Sequence, residues 1–189
     1  MSLAVQERPT IPIQEYLDGE QHSDIRHEYL AGQVFAMAGA GRTHNLIAGN
    51  TFAQLRAAIR GTPCQAFMAD MKVRVDANDA FYYPDVVVTC QASDSDEYFL
   101  NAPCLIVEVL SPTTEAIDRR EKLIAYRTLP SLRYYLLVSQ EKRQVECHTR
   151  EADKLWRIVV TEDTGSLDIL CDGLSANVSL DDIYEGVRR

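Results

Sequence analysis

Two hydrophobic periods alternate along the chain, and each marks a type of element. After Pro12, Ile13, Tyr16 and Leu17 recur at i, i+3 and i+4, which predicts a short amphipathic helix stopped by Gly19. Residues 27–30 and 33–37 read as two short strands about Ala31-Gly32, a hairpin turn. Ala48, Phe52, Leu55 and Ile59 then fall at i, i+4, i+7 and i+11. That is the stripe of a first long helix, with Thr43 as its cap and Gly61 and Pro63 beyond its end.

From residue 65 the period shortens. Segments 65–68, 71–75, 83–90 and 104–110 are apolar or alternating, and Asn78-Asp79 and the polar stretch 91–101 separate them. Val86-Val87-Val88 and Leu105-Ile106-Val107 are continuously apolar, the pattern of strands covered on both faces. Ser111-Pro112-Thr113-Thr114 supplies start signals for a second long helix over 115–128, ended ahead of Pro130. Ile117, Ile124 and Ala125 give that helix an apolar side with which to rest on the sheet. Residues 132–139 read as a buried strand, 144–148 with 155–161 as a hairpin, and 182–187 as a short closing helix. Neither a repeat nor a linker interrupts this order. The expectation is one α/β domain over residues 1–189, a central mixed β-sheet flanked by helices, with extra hairpin strands toward both ends.

Composition narrows the class. With 46% apolar and 25% charged residues the chain has the make-up of a globular protein, which excludes collagen-like and wholly disordered readings. No apolar run approaches the roughly 18 residues of a membrane-spanning helix. Glu7, Arg8, Glu15 and Asp18 interrupt any apolar leader, so no membrane association and a cytoplasmic location are expected. Five cysteines at residues 64, 90, 104, 147 and 171 fit neither a disulfide framework nor a zinc knuckle, and are read as reduced, buried thiols. The net charge of −9 disfavours sequence-independent binding to a polyanion, so any nucleic-acid partner must be argued from local features. Arg119, Arg120, Lys122 and Arg127 are the only basic cluster that answers this charge.

The chemistry is signalled by carboxylates beside apolar runs. Glu108 has apolar neighbours on both sides in Leu105-Ile106-Val107-Glu108-Val109-Leu110, and an uncompensated charge there costs several kcal/mol. Asp85 stands at the mouth of Val86-Val87-Val88, so neighbouring strands would bring the two acids to one edge. Hard oxygen ligands without Cys or clustered His favour Mg²⁺ or Mn²⁺. Asp118, Lys122 and Tyr126 at i, i+4 and i+8 lie along one helical face, and an ammonium there would hold an attacking water beside the metal.

Pro84-Asp85, Glu108-Val109-Leu110, Asp118, Lys122 and Tyr126 together resemble the Uma family of bacterial endonucleases, within the PD-(D/E)XK nuclease superfamily. The likeness extends over most of the chain, through Tyr16-Leu17, Arg26 to Gln33, His44-Asn45, Glu108 to Pro112 and Tyr134 to Val138. It implies a restriction-endonuclease-like fold and a Mg²⁺- or Mn²⁺-dependent endonuclease acting on DNA, plausibly as a homodimer. Asp85 and Glu108 would be the metal ligands, with Glu28 as an additional acid. The superfamily pattern places a lysine two residues after the second acid, where this chain has Leu110. Lys122 from the following helix is the substitute and Lys72 the second choice. The alternative is an inactive nucleic-acid-binding or protein-interaction module that retains the fold.

Each residue also has a plain structural reading. Asp85 would accept backbone or Arg hydrogen bonds at a strand start. Glu108 would pair with Arg74 or Arg133, Lys122 with Asp118 on the surface, and Glu28 would be a solvated strand residue. Tyr126 would be core packing. His44, after Gly39-Ala40-Gly41, sits either in a capped turn or where helix N–H groups hold a phosphate.

Overall fold

Strand pairing in this protein is built around the apolar runs. In a computed structural model, which describes residues 10–188, the elements begin with α1 (Ile13–Gln21), β1 (His27–Leu30), β2 (Gln33–Ala36) and α2 (Arg42–Ala58). β3 (Gln65–Met68), β4 (Lys72–Val75), β5 (Ala80–Tyr82), β6 (Val86–Thr89), β7 (Phe99–Leu100) and β8 (Pro103–Leu110) follow. Next are α3 (Glu115–Ile117), a π-helical stretch Asp118–Lys122, and α4 (Leu123–Arg127). The chain closes with β9 (Tyr134–Ser139), β10 (Gln144–Arg150), β11 (Trp156–Glu162), β12 (Ser166–Cys171), β13 (Leu174–Ser179) and α5 (Leu180–Ile183). The first nine residues, which include Glu7 and Arg8 of the leader reading, lie outside the described residues.

The central sheet has the order β11-β10-β9-β8-β6-β3, with β8 and β9 parallel and the other pairs antiparallel. Every residue of β6 and β8 is buried, as their continuous apolar runs require. One face packs Leu105, Val107 and Val109 against α2, the β12–β13 hairpin and α5. The other carries Ile106 and Leu110 beneath the helical run and a second sheet, β2-β1-β5-β4-β7. This is the expected α/β arrangement, a mixed sheet between helices with accessory hairpins. Among the described residues no helix is long and apolar enough to cross a membrane.

Four sequence expectations need correction. α2 starts at Arg42 with Gly41 as its cap residue, so Thr43 lies inside the helix rather than capping it. The second helix is not continuous but turns through the π stretch, and its buried side is the polar one. Asp118 and Lys122 are 2% and 6% exposed, whereas Ile117 and Ile124 are 45% and 65% exposed. The basic cluster therefore dissolves: Lys122 is internal, and Arg119 is held by Glu115 and Glu146 at 2.7 Å each. Finally, Cys64 and Cys90 form a disulfide. The antiparallel register of β3 and β6 pairs Gln65 with Thr89, which sets residues 64 and 90 opposite each other, a long-range relation that spacing along the chain does not reveal.

Candidate active site

Asp85 enters the site because β6 runs antiparallel to β8 with Val86 opposite Val107. The backbone N–H of Val109 donates to Asp85 Oδ2 at 2.6 Å. His44, in the first turn of α2, places Nε2 3.2 Å from the same oxygen. Asp85 thus keeps the hydrogen bond of a strand-start acid, but its cationic neighbour is a histidine and not an arginine.

Glu108 projects on the β8 face that it shares with Ile106 and Leu110, toward the helical run. Lys122 Nζ donates to Glu28 Oε1 at 2.8 Å and to Glu108 Oε1 at 3.2 Å, and lies 3.5 Å from Asp118 Oδ1. The Tyr126 hydroxyl donates to Glu108 Oε1 at 3.1 Å, and Glu28 Oε1 accepts from the Tyr83 N–H at 3.2 Å. The Arg partners considered for Glu108 are elsewhere: Arg74 pairs with Asp76, and Arg133 lines a separate cavity. The π turn is the local device behind this arrangement. It turns both Asp118 and Lys122 inward, and Tyr135 OH donates to the Asp118 carbonyl at 3.0 Å.

Charge balance explains the electrostatics. Glu28, Asp85, Glu108 and Asp118 outnumber the cations Lys122 and His44. Burial drives the Glu108 carboxyl well above the usual carboxylate range, with Asp118, Asp85 and Glu28 adding to the rise and Lys122 opposing it. Burial likewise raises Asp118 against the pull of Lys122. Lys122 loses hydration, yet Glu108, Glu28 and Asp118 more than offset this and hold it well above an ordinary ammonium. His44 is desolvated too, but its hydrogen bond to and the charge of Asp85 raise it. The consistent state has Lys122 charged and Glu108 retaining a proton beyond the usual range.

A cavity of about 600 Å³ opens onto His44, Asp85, Glu108, Asp118 and Lys122, with the Gly39–Gly41 loop on its wall. Among the described residues no group of three or more His, Cys, Asp or Glu gathers to hold a metal ion. The partners given above fall on Oδ2 of Asp85 and Oε1 of Glu108, so the second oxygen of each carboxylate remains for a ligand. Asp118 Oδ1 is buried without a hydrogen-bond partner. Two hard carboxylates beside an aqueous cavity fit Mg²⁺ or Mn²⁺, ions that keep several waters and need only one or two protein carboxylates.

Lys72, the second-choice lysine, is buried apart from these acids and donates to the Tyr83 hydroxyl at 3.2 Å. That hydroxyl donates to Glu20 Oε1 at 3.0 Å, and Glu20 also accepts from the His27 N–H at 2.8 Å. This Glu20–Tyr83–Lys72 network abuts the cavity through Tyr83 and was not anticipated from the sequence. Its one signal is that Tyr83 stands two residues before Asp85.

Residues 13–181 match the Uma2 family, described as "Putative restriction endonuclease". Two uncharacterised proteins of Synechocystis are similar: one is 34% identical over 95% of this chain and 94% of its own length, the other 31% identical over 75% and 82%. Among solved structures, a "putative nuclease belonging to DUF820" from Anabaena variabilis superposes with a TM-score of 0.73. That match covers 92% of this chain and 97% of the other, at 15% identity.

Proposed function

The chain belongs to the Uma2 family, and from that premise we propose that it is a metal-dependent endonuclease that hydrolyses phosphodiester bonds in DNA. The observation that carries this reading is the reach of Lys122, within 3.2 Å of both Glu28 and Glu108 although Leu110 occupies the superfamily's lysine position. Asp85 and Glu108 would hold Mg²⁺ or Mn²⁺. When bound, such an ion lowers the pKa of a coordinated water and offsets phosphate charge.

The remaining work falls to side chains. Val109 N–H and His44 fix Oδ2 of Asp85, and Tyr126 fixes Oε1 of Glu108, so both carboxylates are pre-oriented rather than reorganised during reaction. Lys122 donates an N–H to the attacking water or to a phosphate oxygen as negative charge develops there. Glu28 and Asp118 position its ammonium for that task. A lysine at residue 110 would instead enter the apolar cluster that Leu110 shares with Ile106 and Tyr126.

A second reading, a binding module without turnover, is favoured by one feature: the same three carboxylates that place Lys122 also occupy its ammonium. Plasmid nicking in Mn²⁺ separates the two. Wild type should nick, Glu108→Ala should not, and the metal-dependent reading fails if wild type leaves every DNA offered intact.

A further inference from the structure

Outside the acidic site, four of the five cysteines meet at the opposite end of the central sheet. Cys64 and Cys90 are bonded to each other. Cys104 Sγ, at the start of β8, lies 3.8 Å from Cys90 Sγ, in van der Waals contact with one sulfur of the disulfide. Cys171, the last residue of β12, donates its S–H toward the Cys104 carbonyl at 3.7 Å. A cavity of about 320 Å³, with Arg133 and Ser131 on its wall, is lined by Cys90, Cys104 and Cys171. Cys64 is on the far side, under the β12–β13 turn. Gly173 in that turn has φ +87, and a Cβ added there would stand 3.0 Å from Cys64 Sγ.

Buried cysteines that serve only as small apolar groups have no reason to converge from four separate segments, 64, 90, 104 and 171. Cys64 is buried beneath the turn, whereas Cys90, Cys104 and Cys171 all reach the cavity wall, Cys104 buried and Cys90 and Cys171 partly exposed. We propose that these four residues form a thiol–disulfide exchange site, in which the disulfide passes from Cys64–Cys90 through Cys104 to Cys171, where a dithiol reductant entering the cavity removes it.

The chemistry balances at each step. The Cys104 thiol gives up its proton and its sulfur attacks Cys90 Sγ. A Cys90–Cys104 bond forms, the Cys64–Cys90 bond breaks, and Cys64 leaves as a thiolate that takes the proton. Cys171 then attacks Cys104 Sγ, forms Cys104–Cys171, and releases Cys90, which takes the proton from Cys171. Neither exchange changes the oxidation state of the protein. The entering dithiol supplies the two electrons: one of its sulfurs attacks Cys171 and releases Cys104, and its second sulfur displaces Cys171 and closes the reductant's own disulfide. The Arg133 guanidinium on the cavity wall favours the thiolate forms. The hydrogen bond to Cys104, together with burial, raises the Cys171 thiol, so it is the slow member and the last to be oxidised.

Disulfide mapping tests this on the full-length oxidised chain. The chain is given a short exposure to dithiothreitol at mildly alkaline pH, quenched with an alkylating agent and digested without reduction, and the linked peptides are identified by mass spectrometry. Wild type should yield Cys90–Cys104 and Cys104–Cys171 peptides beside Cys64–Cys90. In Cys104→Ser only Cys64–Cys90 should remain, and its reduction should slow on the order of tenfold, because the reductant must then attack the disulfide itself without the neighbouring Cys104 thiol. Cys171→Ser should retain Cys90–Cys104. Cys104→Ala serves as a second variant, and a native-like circular dichroism spectrum qualifies each. Only Cys64–Cys90 in wild type, reduced as fast as in Cys104→Ser, overturns the proposal. So does a chain that carries five free thiols after air oxidation.

Discussion

Removing the ammonium of Lys122 would leave Glu28, Glu108 and Asp118 facing one another with no buried cation between them. For a surface pair at i, i+4 the loss would be a few tenths of a kcal/mol, but breaking a buried pair costs about 3–5 kcal/mol. Lys122→Ala should therefore melt far below wild type, and a melting temperature within a degree or two of wild type would return Lys122 to the status of a surface residue. Glu108 predicts the opposite sign. Its raised carboxyl keeps a proton in the native state that the unfolded chain releases in the usual range. Its contribution is therefore fully present below that range and is lost as pH rises through the raised native value. Glu108→Gln in chelator should be at least as stable as wild type at neutral pH and should flatten the decline in melting temperature on going from pH 5 to 8. A clear loss of stability in Glu108→Gln contradicts this assignment.

At the scale of elements, the continuously apolar runs identified β6 and β8 because burial on both faces leaves no room for alternation. The placement of Asp85 and Glu108 at one sheet edge followed from those two strands alone. The second helix was legible as a helix, with its Asp118, Lys122 and Tyr126 face toward the site, but of the apolar residues expected to rest on the sheet only Ala125 is buried, while Ile117 and Ile124 are exposed. The π turn adds a residue to one helical turn, and a 3.6-residue period cannot register it. What decides the side is the acid on the facing strand, a tertiary fact. The β12–β13 hairpin, outside the elements expected from the sequence, does alternate, with Leu167, Ile169, Leu174, Ala176 and Val178 inward. The observed orientation gives a paired prediction. Ile124→Glu, on the exposed side, should change stability by no more than about 0.5 kcal/mol. Leu110→Lys, which restores the superfamily's lysine position, should destabilise by several kcal/mol because it buries an ammonium among apolar groups. Denaturant titrations of the two variants check the sign of the helix face, and equal effects would refute it.

For the whole molecule, two features bear on how the proposed nuclease would meet a duplex. The net charge is −9, Lys122 is buried and Arg119 is held by Glu115 and Glu146, while Arg120 stays exposed, so phosphate contacts from the helical run should be few and the salt dependence of DNA binding shallow. β11 forms one edge of the central sheet, with Ile158, Val159 and Val160 at 52%, 39% and 49% exposure. An antiparallel pair of these edges related by a two-fold axis at Val159 would set Ile158 opposite Val160 in both directions and join two sites in one sheet. Val159→Lys should then convert a dimer to a monomer in light scattering, and a monomeric wild type would exclude this edge as the contact. Calorimetric titration of the metal-free protein with Mn²⁺ asks whether Asp85 and Glu108 together hold a divalent ion. Wild type should bind, with Asp85→Ala and Glu108→Ala each abolishing the heat while remaining folded; equal binding by all three proteins, or none by wild type, would contradict it.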